Sequence, residues 1–171
     1  MLVSVVIRTY NRPSLLKEAL NSLSQQTYTP LEVVVVNDGG ECVAGIVNRY
    51  KDCFESMVYI RNQENLGRSA SANIGLGKVS GKFVLFLDDD DLLLPSAIEV
   101  LLDALIKNPK AIVAYGKSLA IAEHKNYTEI VRIYGRPFQK ELLLFQNYIP
   151  TGSFLFKFEK QKSPFFDAIM H

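Results

Sequence analysis

Short apolar runs and amphipathic stretches alternate along the first 115 residues of the chain. The apolar runs are rich in β-branched and aromatic residues and are bounded by polar or turn residues, so each predicts a β-strand. They are Leu2–Ile7, Leu31–Val36, Met57–Arg61, Phe83–Leu87 and Ala111–Tyr115. Because the stretches between them have apolar residues at helical spacing, we expect an α/β protein with a mostly parallel, doubly wound sheet and helices on both faces.

Four helices are predicted between these strands, one starting at Pro13 and the others at 43–50, 69–79 and 95–107. Pro13 suits the first turn of a helix, and Asn11 is a candidate for its N-cap. The third helix consists largely of alanine, glycine and serine, a composition that permits close packing on the sheet.

The alternation ends near Gly116. Two β segments around a polar turn, a short helix and a last strand are predicted there, at 118–123, 128–134, 139–147 and 153–158. We therefore expect an α/β subdomain over residues 1–115 and a shorter mixed part over 116–171, within one compact domain. The last residues, 163–171, are apolar and carry no stop signal, so we expect a chain cut from a longer protein. We also expect this apolar tail to pack on a partner surface, such as that of a second copy of the chain.

Composition narrows the class of protein. A chain of 171 residues, 48% of them hydrophobic, is long enough to bury the core of one domain. Its net charge of +1 argues against nucleic acid as a partner, and no stretch approaches the roughly 20 apolar residues of a membrane span. Cys42 and Cys53 show no metal-ligand spacing, so we expect a reduced, cytoplasmic protein, at most peripheral to the inner face of the membrane.

The most informative feature is the run Asp88-Asp89-Asp90-Asp91, which directly follows the buried strand Phe83–Leu87. Four adjacent carboxylates repel one another, and a divalent cation at the rim of the sheet would neutralise them. Carboxylate oxygens are the ligands preferred by Mg²⁺ and Mn²⁺. The run therefore predicts a metal site, and the alternative is a solvated charge run that caps the next helix.

Two further strand ends carry polar residues, at Arg8–Arg12 and at Asn37–Gly40. In a parallel sheet these segments and the aspartate run lie on one edge, where such folds bind ligands. Tyr10 offers an aromatic face to a base, Asp38 can accept hydrogen bonds from a ring N–H or ribose hydroxyls, and Arg68 at a helix start can meet a phosphate. Each has an ordinary structural explanation alone, but together they suit a nucleotide diphosphate with a bridging metal.

Two common nucleotide motifs do not occur at the expected places. The first strand is not followed by G-x-G-x-x-G, and the sequence contains no G-x-x-x-x-G-K-[ST]. The usual dinucleotide-binding fold and the P-loop enzymes are therefore disfavoured.

The order of these motifs resembles the family 2 glycosyltransferases of GT-A fold. The resemblance is carried by segments 3–12, 32–39, 65–67, 73–75 and 81–91 and by Pro95. It covers the first 115 residues well and the rest loosely. It implies an enzyme that transfers a sugar, with inversion, from a nucleotide-sugar donor of UDP or dTDP type to a hydroxyl of a saccharide or lipid-linked acceptor, using Mg²⁺ or Mn²⁺.

The resemblance also implies roles for individual residues. The nucleotide contacts would be Thr9, Tyr10, Asn11, Arg12, Asp38, Arg68, Asp88 and Asp89. The metal ligands would be Asp88 and Asp90, with Asp90 the main one. With four aspartates in a row the register is ambiguous, so Asp89 and Asp91 also remain candidate ligands.

Some positions depart from the family pattern. Arg8 stands where the family usually has proline, and Ala72 where many members carry arginine. The catalytic base of the family normally follows a segment like Phe166-Asp167, where this chain stops, so no catalytic residue is assigned and we expect nucleotide binding with little or no turnover.

Two other classes of protein share features of this sequence. One is a catalytically incomplete module that only binds the nucleotide or nucleotide sugar. The other is a haloacid-dehalogenase-type phosphatase, which is disfavoured because its aspartate motif lies on an early strand, whereas here the run follows the fourth strand and precedes Leu92.

Overall fold

A computed structural model describes residues 1–124, 127–159 and 166–167. Its strands are β1 (Val3–Thr9), β2 (Leu31–Asn37), β3 (Ser56–Arg61), β4 (Phe83–Asp88), β5 (Val113–Tyr115), β6 (Ser118–Glu123), β7 (Thr128–Tyr134) and β8 (Phe154–Lys157). Its helices are α1 (Pro13–Ser24), α2 (Ala44–Arg49), α3 (Arg68–Leu76), α4 (Ala97–Lys107) and α5 (Lys140–Leu143), with a 3₁₀ turn at Lys51–Cys53. Among the described residues, no helix is both long and apolar enough to cross a membrane.

Six strands form one sheet in the order β3-β2-β1-β4-β8-β5. The first four run parallel, and β8 lies antiparallel between β4 and β5. The predicted α/β class with a mostly parallel sheet is confirmed. The insertion of β8 beside β4 was not predicted, and β6 and β7 form a separate antiparallel ribbon.

Helices cover both faces of the sheet, as predicted. On β1, Val5 and Ile7 belong to the core cluster formed with α1, α2 and α4. Val6 points to the opposite face, into the cluster formed with α3. Because successive side chains of a strand alternate in direction, one central strand supplies both cores.

Helix α3 lies unusually close to the sheet. A Cβ atom added to Gly75 would lie 2.4 Å from Cγ1 of Val6, closer than two non-bonded carbon atoms can approach. The close packing expected from the small residues of this helix is therefore confirmed at its last turn, which lies against the middle of β1.

Helix α1 begins at Pro13, as predicted, but Asn11 does not cap it. The N-cap is Arg12, with no side-chain capping bond. Asn11 has a φ of 54°, which asparagine tolerates better than most residues. Its Oδ1 instead accepts a hydrogen bond from the backbone N–H of Glu41 at 2.8 Å, so this side chain joins the loop after β1 to the loop after β2.

At the amino end of β2, the buried carboxylate of Glu32 accepts several hydrogen bonds. It accepts hydrogen bonds from the hydroxyls of Ser4, Ser56 and Ser80 and from the backbone N–H of Ser80. Burial by itself raises the pKa of Glu32, but these hydrogen bonds outweigh it and the net pKa is lowered. The network ties β2 to β1, β3 and the turn before β4.

The carboxyl-terminal part is only partly described. Strands β6 and β7 have the predicted bounds, whereas α5 is shorter than the predicted helix over 139–147. The amide of Asn73 exchanges two hydrogen bonds with the backbone of Phe166, at 2.7 and 2.8 Å, and the Phe166 ring packs edge-on against Phe86. Most of the apolar tail at 163–171, including its predicted partner surface, lies outside the described residues.

Candidate functional site

A cleft of about 430 Å³ opens at the carboxyl ends of β1, β2 and β4. Its lining residues are Arg8, Thr9, Tyr10, Arg12, Asp38, Asn65, Gly67, Arg68, Ser71, Asp88, Asp89 and Asp90. The structure thus brings together every residue expected to contact a nucleotide or metal except Asn11. Asp91, the alternative ligand, is also outside the lining.

Arg8 and Asp88 face each other across the ends of β1 and β4, where they are partners in the strand register. The Arg8 guanidinium donates to Asp88 Oδ1 and, at 3.3 Å, to the backbone carbonyl of Arg68. It lies 5.9 Å from the ring centre of Phe86. Its buried Nε has no hydrogen-bond partner among the described residues.

Arg12 and Thr9 hold the next two carboxylates. The Arg12 guanidinium lies 3.3 Å from Asp89 Oδ1 and 2.9 Å from Asp90 Oδ2, and the Thr9 hydroxyl donates to Asp89 Oδ2 at 2.7 Å. Burial raises the pKa of Asp89, although Thr9 and Arg12 act in the opposite direction. Asp90 remains half exposed.

The aspartate run has the donor chemistry of a magnesium or manganese site, because its ligands are hard carboxylate oxygens. Guanidinium groups of Arg8 and Arg12 pair with Asp88, Asp89 and Asp90, so these carboxylates already attract cationic groups. In the described part of the chain, no three acidic, histidine or cysteine side chains converge as a ready-made metal cluster. Partial desolvation, and then repulsion by Asp88 and Asp90, raises the pKa of Asp91. Asp88 and Asp90 stay predicted ligands.

Asp38 is buried and anchors the loop before α3. Its Oδ1 accepts from the Asn62 amide at 2.8 Å and the Leu66 N–H at 2.9 Å, and its Oδ2 accepts from the Gly67 N–H at 3.0 Å. The next residue, Gly39, has a φ of 80°, and a Cβ there would lie 2.4 Å from the Glu64 carbonyl carbon. The tight turn after β2 therefore lets this loop lie directly against Asp38.

The far wall of the cleft is the first turn of α3. Gly67 is its N-cap and Arg68 its first residue, so backbone N–H groups without a partner inside the helix and a guanidinium lie on the same wall. Tyr10 also lines the cleft and is 47% exposed. Such a wall favours an anionic group.

Asn65 and Ser71 line the cleft but had no role predicted from the sequence. Only their positions close to the start of the predicted helix could have indicated that they line the cleft. Asn65 stands two residues before the N-cap glycine, and Ser71 lies one turn into a helix whose start was already assigned to phosphate.

Comparison with known proteins identifies the family of this chain. The family model "Glycosyl transferase family 2" matches residues 4–166. The chain therefore belongs to glycosyltransferase family 2, and the resemblance inferred from its motifs is confirmed.

Three similar proteins illustrate the family. An uncharacterized glycosyltransferase, YwdF, of Bacillus subtilis is 31% identical over all of this chain and 64% of its own length. The structure of Staphylococcus aureus TarS 1–349 in complex with UDP-GlcNAc matches with a TM-score of 0.60 and 31% identity, over 66% of this chain and 33% of TarS 1–349. The mannosyltransferase PcManGT of Pyrobaculum calidifontis, in complex with GDP-Man and Mn²⁺, matches with a TM-score of 0.59 and 25% identity, over 65% of this chain and 34% of its own.

These matches confirm the expected GT-A type of α/β fold. This chain spans less than two thirds of the length of each of the three proteins.

Proposed function

We propose that the cleft binds the nucleotide diphosphate of a UDP- or dTDP-type sugar donor. The chain would be the donor-binding part of a metal-dependent, inverting glycosyltransferase. The observation that carries this proposal is the meeting of Tyr10, Asp38, Arg68 and Asp88–Asp90 around one cleft. Each supplies a different chemical contact that a nucleoside diphosphate needs.

The base and ribose would lie between Tyr10 and Asp38. A carboxylate has about four acceptor positions, and three of those on Asp38 are used by Asn62, Leu66 and Gly67. The remaining position, on Oδ2, has no partner among the described residues and would accept from a ring N–H or a ribose hydroxyl. The exposed ring of Tyr10 supplies the flat surface on which a base stacks.

The diphosphate would lie against the first turn of α3. The Arg68 guanidinium can make charge-assisted hydrogen bonds to phosphate oxygens, and the helix N-terminus favours negative charge. The hydrogen bonds from Leu66 and Gly67 to Asp38 keep this turn in place.

Asp88 and Asp90 would hold a divalent cation, Mg²⁺ or Mn²⁺. The Mn²⁺ in the PcManGT complex with GDP-Man supports this proposal. When bound, such a cation neutralises charge that grows on the departing diphosphate. Thr9 and Arg12 orient the neighbouring carboxylates of Asp89 and Asp90 toward the cleft.

In the transfer itself, an acceptor hydroxyl oxygen forms a bond to the anomeric carbon as the bond to the diphosphate oxygen breaks. Attack from the face opposite the nucleotide inverts the configuration, and a base takes the hydroxyl proton. No described residue is assigned as that base. A saccharide or lipid-linked acceptor rests on the family resemblance alone.

Isothermal titration with UDP in the presence of Mn²⁺ tests this proposal, with UMP as a ligand that lacks the second phosphate. UDP should bind more tightly than UMP, and Tyr10→Ala should weaken UDP binding by about tenfold, a typical effect of losing one base–aromatic contact. Tyr127→Ala is the matched control because its ring is exposed outside the cleft. A wild-type chain that does not bind UDP would contradict the proposal, whereas UDP binding without sugar transfer in a turnover assay would favour the binding module.

A further inference from the structure

Arg8 is an unusual element of the cleft. Its side chain is 18% exposed, and its guanidinium joins Asp88 on β4 to the backbone carbonyl of Arg68 at the start of α3. It therefore touches both the predicted metal ligand and the predicted diphosphate wall. Among the described residues, no other residue makes polar contacts with both.

The bonding of Arg8 is incomplete. Its Nε is buried and has no partner among the described residues, and its contact with the Arg68 carbonyl is long at 3.3 Å. A buried donor without a partner is unfavourable, so this guanidinium is held mainly by its ion pair with Asp88. A nearby phosphate oxygen would be a better acceptor than the Arg68 carbonyl.

A divalent cation and Arg8 would compete for Asp88. Two positive charges on one carboxylate repel each other strongly at a few ångströms in a partly desolvated site. The lining contains four carboxylates and three guanidinium groups, so the cleft carries one formal negative charge while Arg8 is present. A metal ion alone is therefore poorly attracted, and a diphosphate alone is still repelled.

We propose that Arg8 is an internal counter-cation that couples metal binding to donor binding. It pairs with Asp88 when no metal is bound. When a divalent cation takes Asp88, the guanidinium donates to the donor diphosphate instead. This inference rests on the proposed function. It predicts that metal and nucleotide bind cooperatively, because a metal ion that takes Asp88 releases Arg8 for the diphosphate, and a diphosphate that takes Arg8 releases Asp88 for the metal.

The test compares Arg8→Gln, Arg8→Lys and the control Arg49→Gln, which removes the same charge from an exposed position on α2. Mn²⁺ binding without nucleotide is followed by the electron paramagnetic resonance signal of free Mn²⁺. UDP binding at saturating Mn²⁺ is followed by calorimetry. Thermal unfolding of each variant establishes that it is folded.

Opposite effects on the two ligands are expected for Arg8→Gln. Mn²⁺ alone should bind about tenfold more tightly, because the competing charge is gone, and UDP about tenfold more weakly, because a charge-assisted hydrogen bond is lost. Arg8→Lys keeps the charge, so Mn²⁺ binding should stay as in the wild type while UDP binding falls by less. Arg49→Gln should match the wild type in both measurements.

Unchanged Mn²⁺ affinity or unchanged UDP affinity in Arg8→Gln would overturn the coupling role. If that variant does not fold, a wild-type UDP affinity in Arg8→Lys overturns it. A wild-type chain that binds no UDP would instead refute the proposed function and this inference with it, so the two failures are distinguishable.

Discussion

Asp38 accepts a hydrogen bond from the backbone N–H of Gly67 at 3.0 Å, which joins the end of β2 to the N-cap of α3. The same carboxylate accepts from Leu66. One buried side chain that lines the cleft therefore positions the first turn of the helix. In the proposed site, hydrogen bonds from Leu66 and Gly67 to Asp38 therefore join the part that would bind the nucleoside to the part that would bind the diphosphate.

Asp38→Asn should damage both the loop and the site. An asparagine amide keeps one oxygen acceptor, so its NH₂ group would face the N–H of either Leu66 or Gly67, and the loss of that hydrogen bond costs about 1–3 kcal/mol. We expect the free energy of unfolding in urea to fall by about that amount and UDP affinity to fall at least about tenfold. Asp52→Asn, on the exposed 3₁₀ turn, is the control and should change neither. A wild-type UDP affinity in Asp38→Asn would show that this carboxylate has no part in the site.

Gly75→Ala tests the close approach of α3 to the sheet. The new methyl would overlap Cγ1 of Val6, so overpacking should lower the free energy of unfolding by about 1–3 kcal/mol. Gly45→Ala is the matched helix control, because a Cβ there meets nothing within 4 Å. Since alanine is the better helix former, Gly45→Ala should raise stability by about 0.5–1 kcal/mol. Equal effects of the two substitutions in chemical denaturation would contradict the packing described for α3.

The Glu32 network predicts a pH dependence of stability. The pKa of Glu32 is lowered in the folded chain, so its stabilisation is fully present above its ordinary value near 4.5 and is lost as the pH falls through the lower folded value. Asp89 and Asp91 have raised pKa values and act in the opposite sense, so the informative quantity is a difference between variants. Relative to the wild type, Glu32→Gln should be least stable near neutral pH, and the gap should narrow on acidification. A gap that does not change between neutral pH and pH 3 would contradict this account.

Asp90→Ala tests the assignment of the metal ligand. Asp90 is half exposed and its described side-chain contact is with Arg12, so the fold should stay intact. The variant should lose the gain in UDP affinity that Mn²⁺ provides, measured by titration with and without EDTA. Asp103→Ala, an exposed residue paired with Lys107 on α4, is the control. If Asp90→Ala keeps its metal-dependent affinity, the same experiment on Asp88→Ala, Asp89→Ala and Asp91→Ala identifies which carboxylates of the run bind the metal.

The sequence predicted the parts of the fold that depend on local pattern. The β1–β4 strands, their helices and the common edge all followed from alternation of apolar and amphipathic segments. The position of β8 did not follow, because a short apolar strand can pair with any open edge. Its place between β4 and β5 depends on the path of the whole chain after Gly116.

The sequence predicted most of the residues that line the cleft, but not the hydrogen bonds and ion pairs between them. Strand ends identified Tyr10, Asp38 and the aspartate run, since parallel strands bring their carboxyl ends together. The ion pair of Arg8 with Asp88 depends on the register of β1 against β4. Asn11 was wrongly assigned as a cap because its side chain bonds to a loop 30 residues further along the chain.

The most direct test of the central claim is a crystal structure of this chain with UDP and Mn²⁺. The account predicts uracil between Tyr10 and Asp38, and a diphosphate between Arg68 and the carboxylates of Asp88–Asp90. A nucleotide bound elsewhere on the molecule, with the cleft at the carboxyl edge of the sheet filled only by solvent, would contradict it.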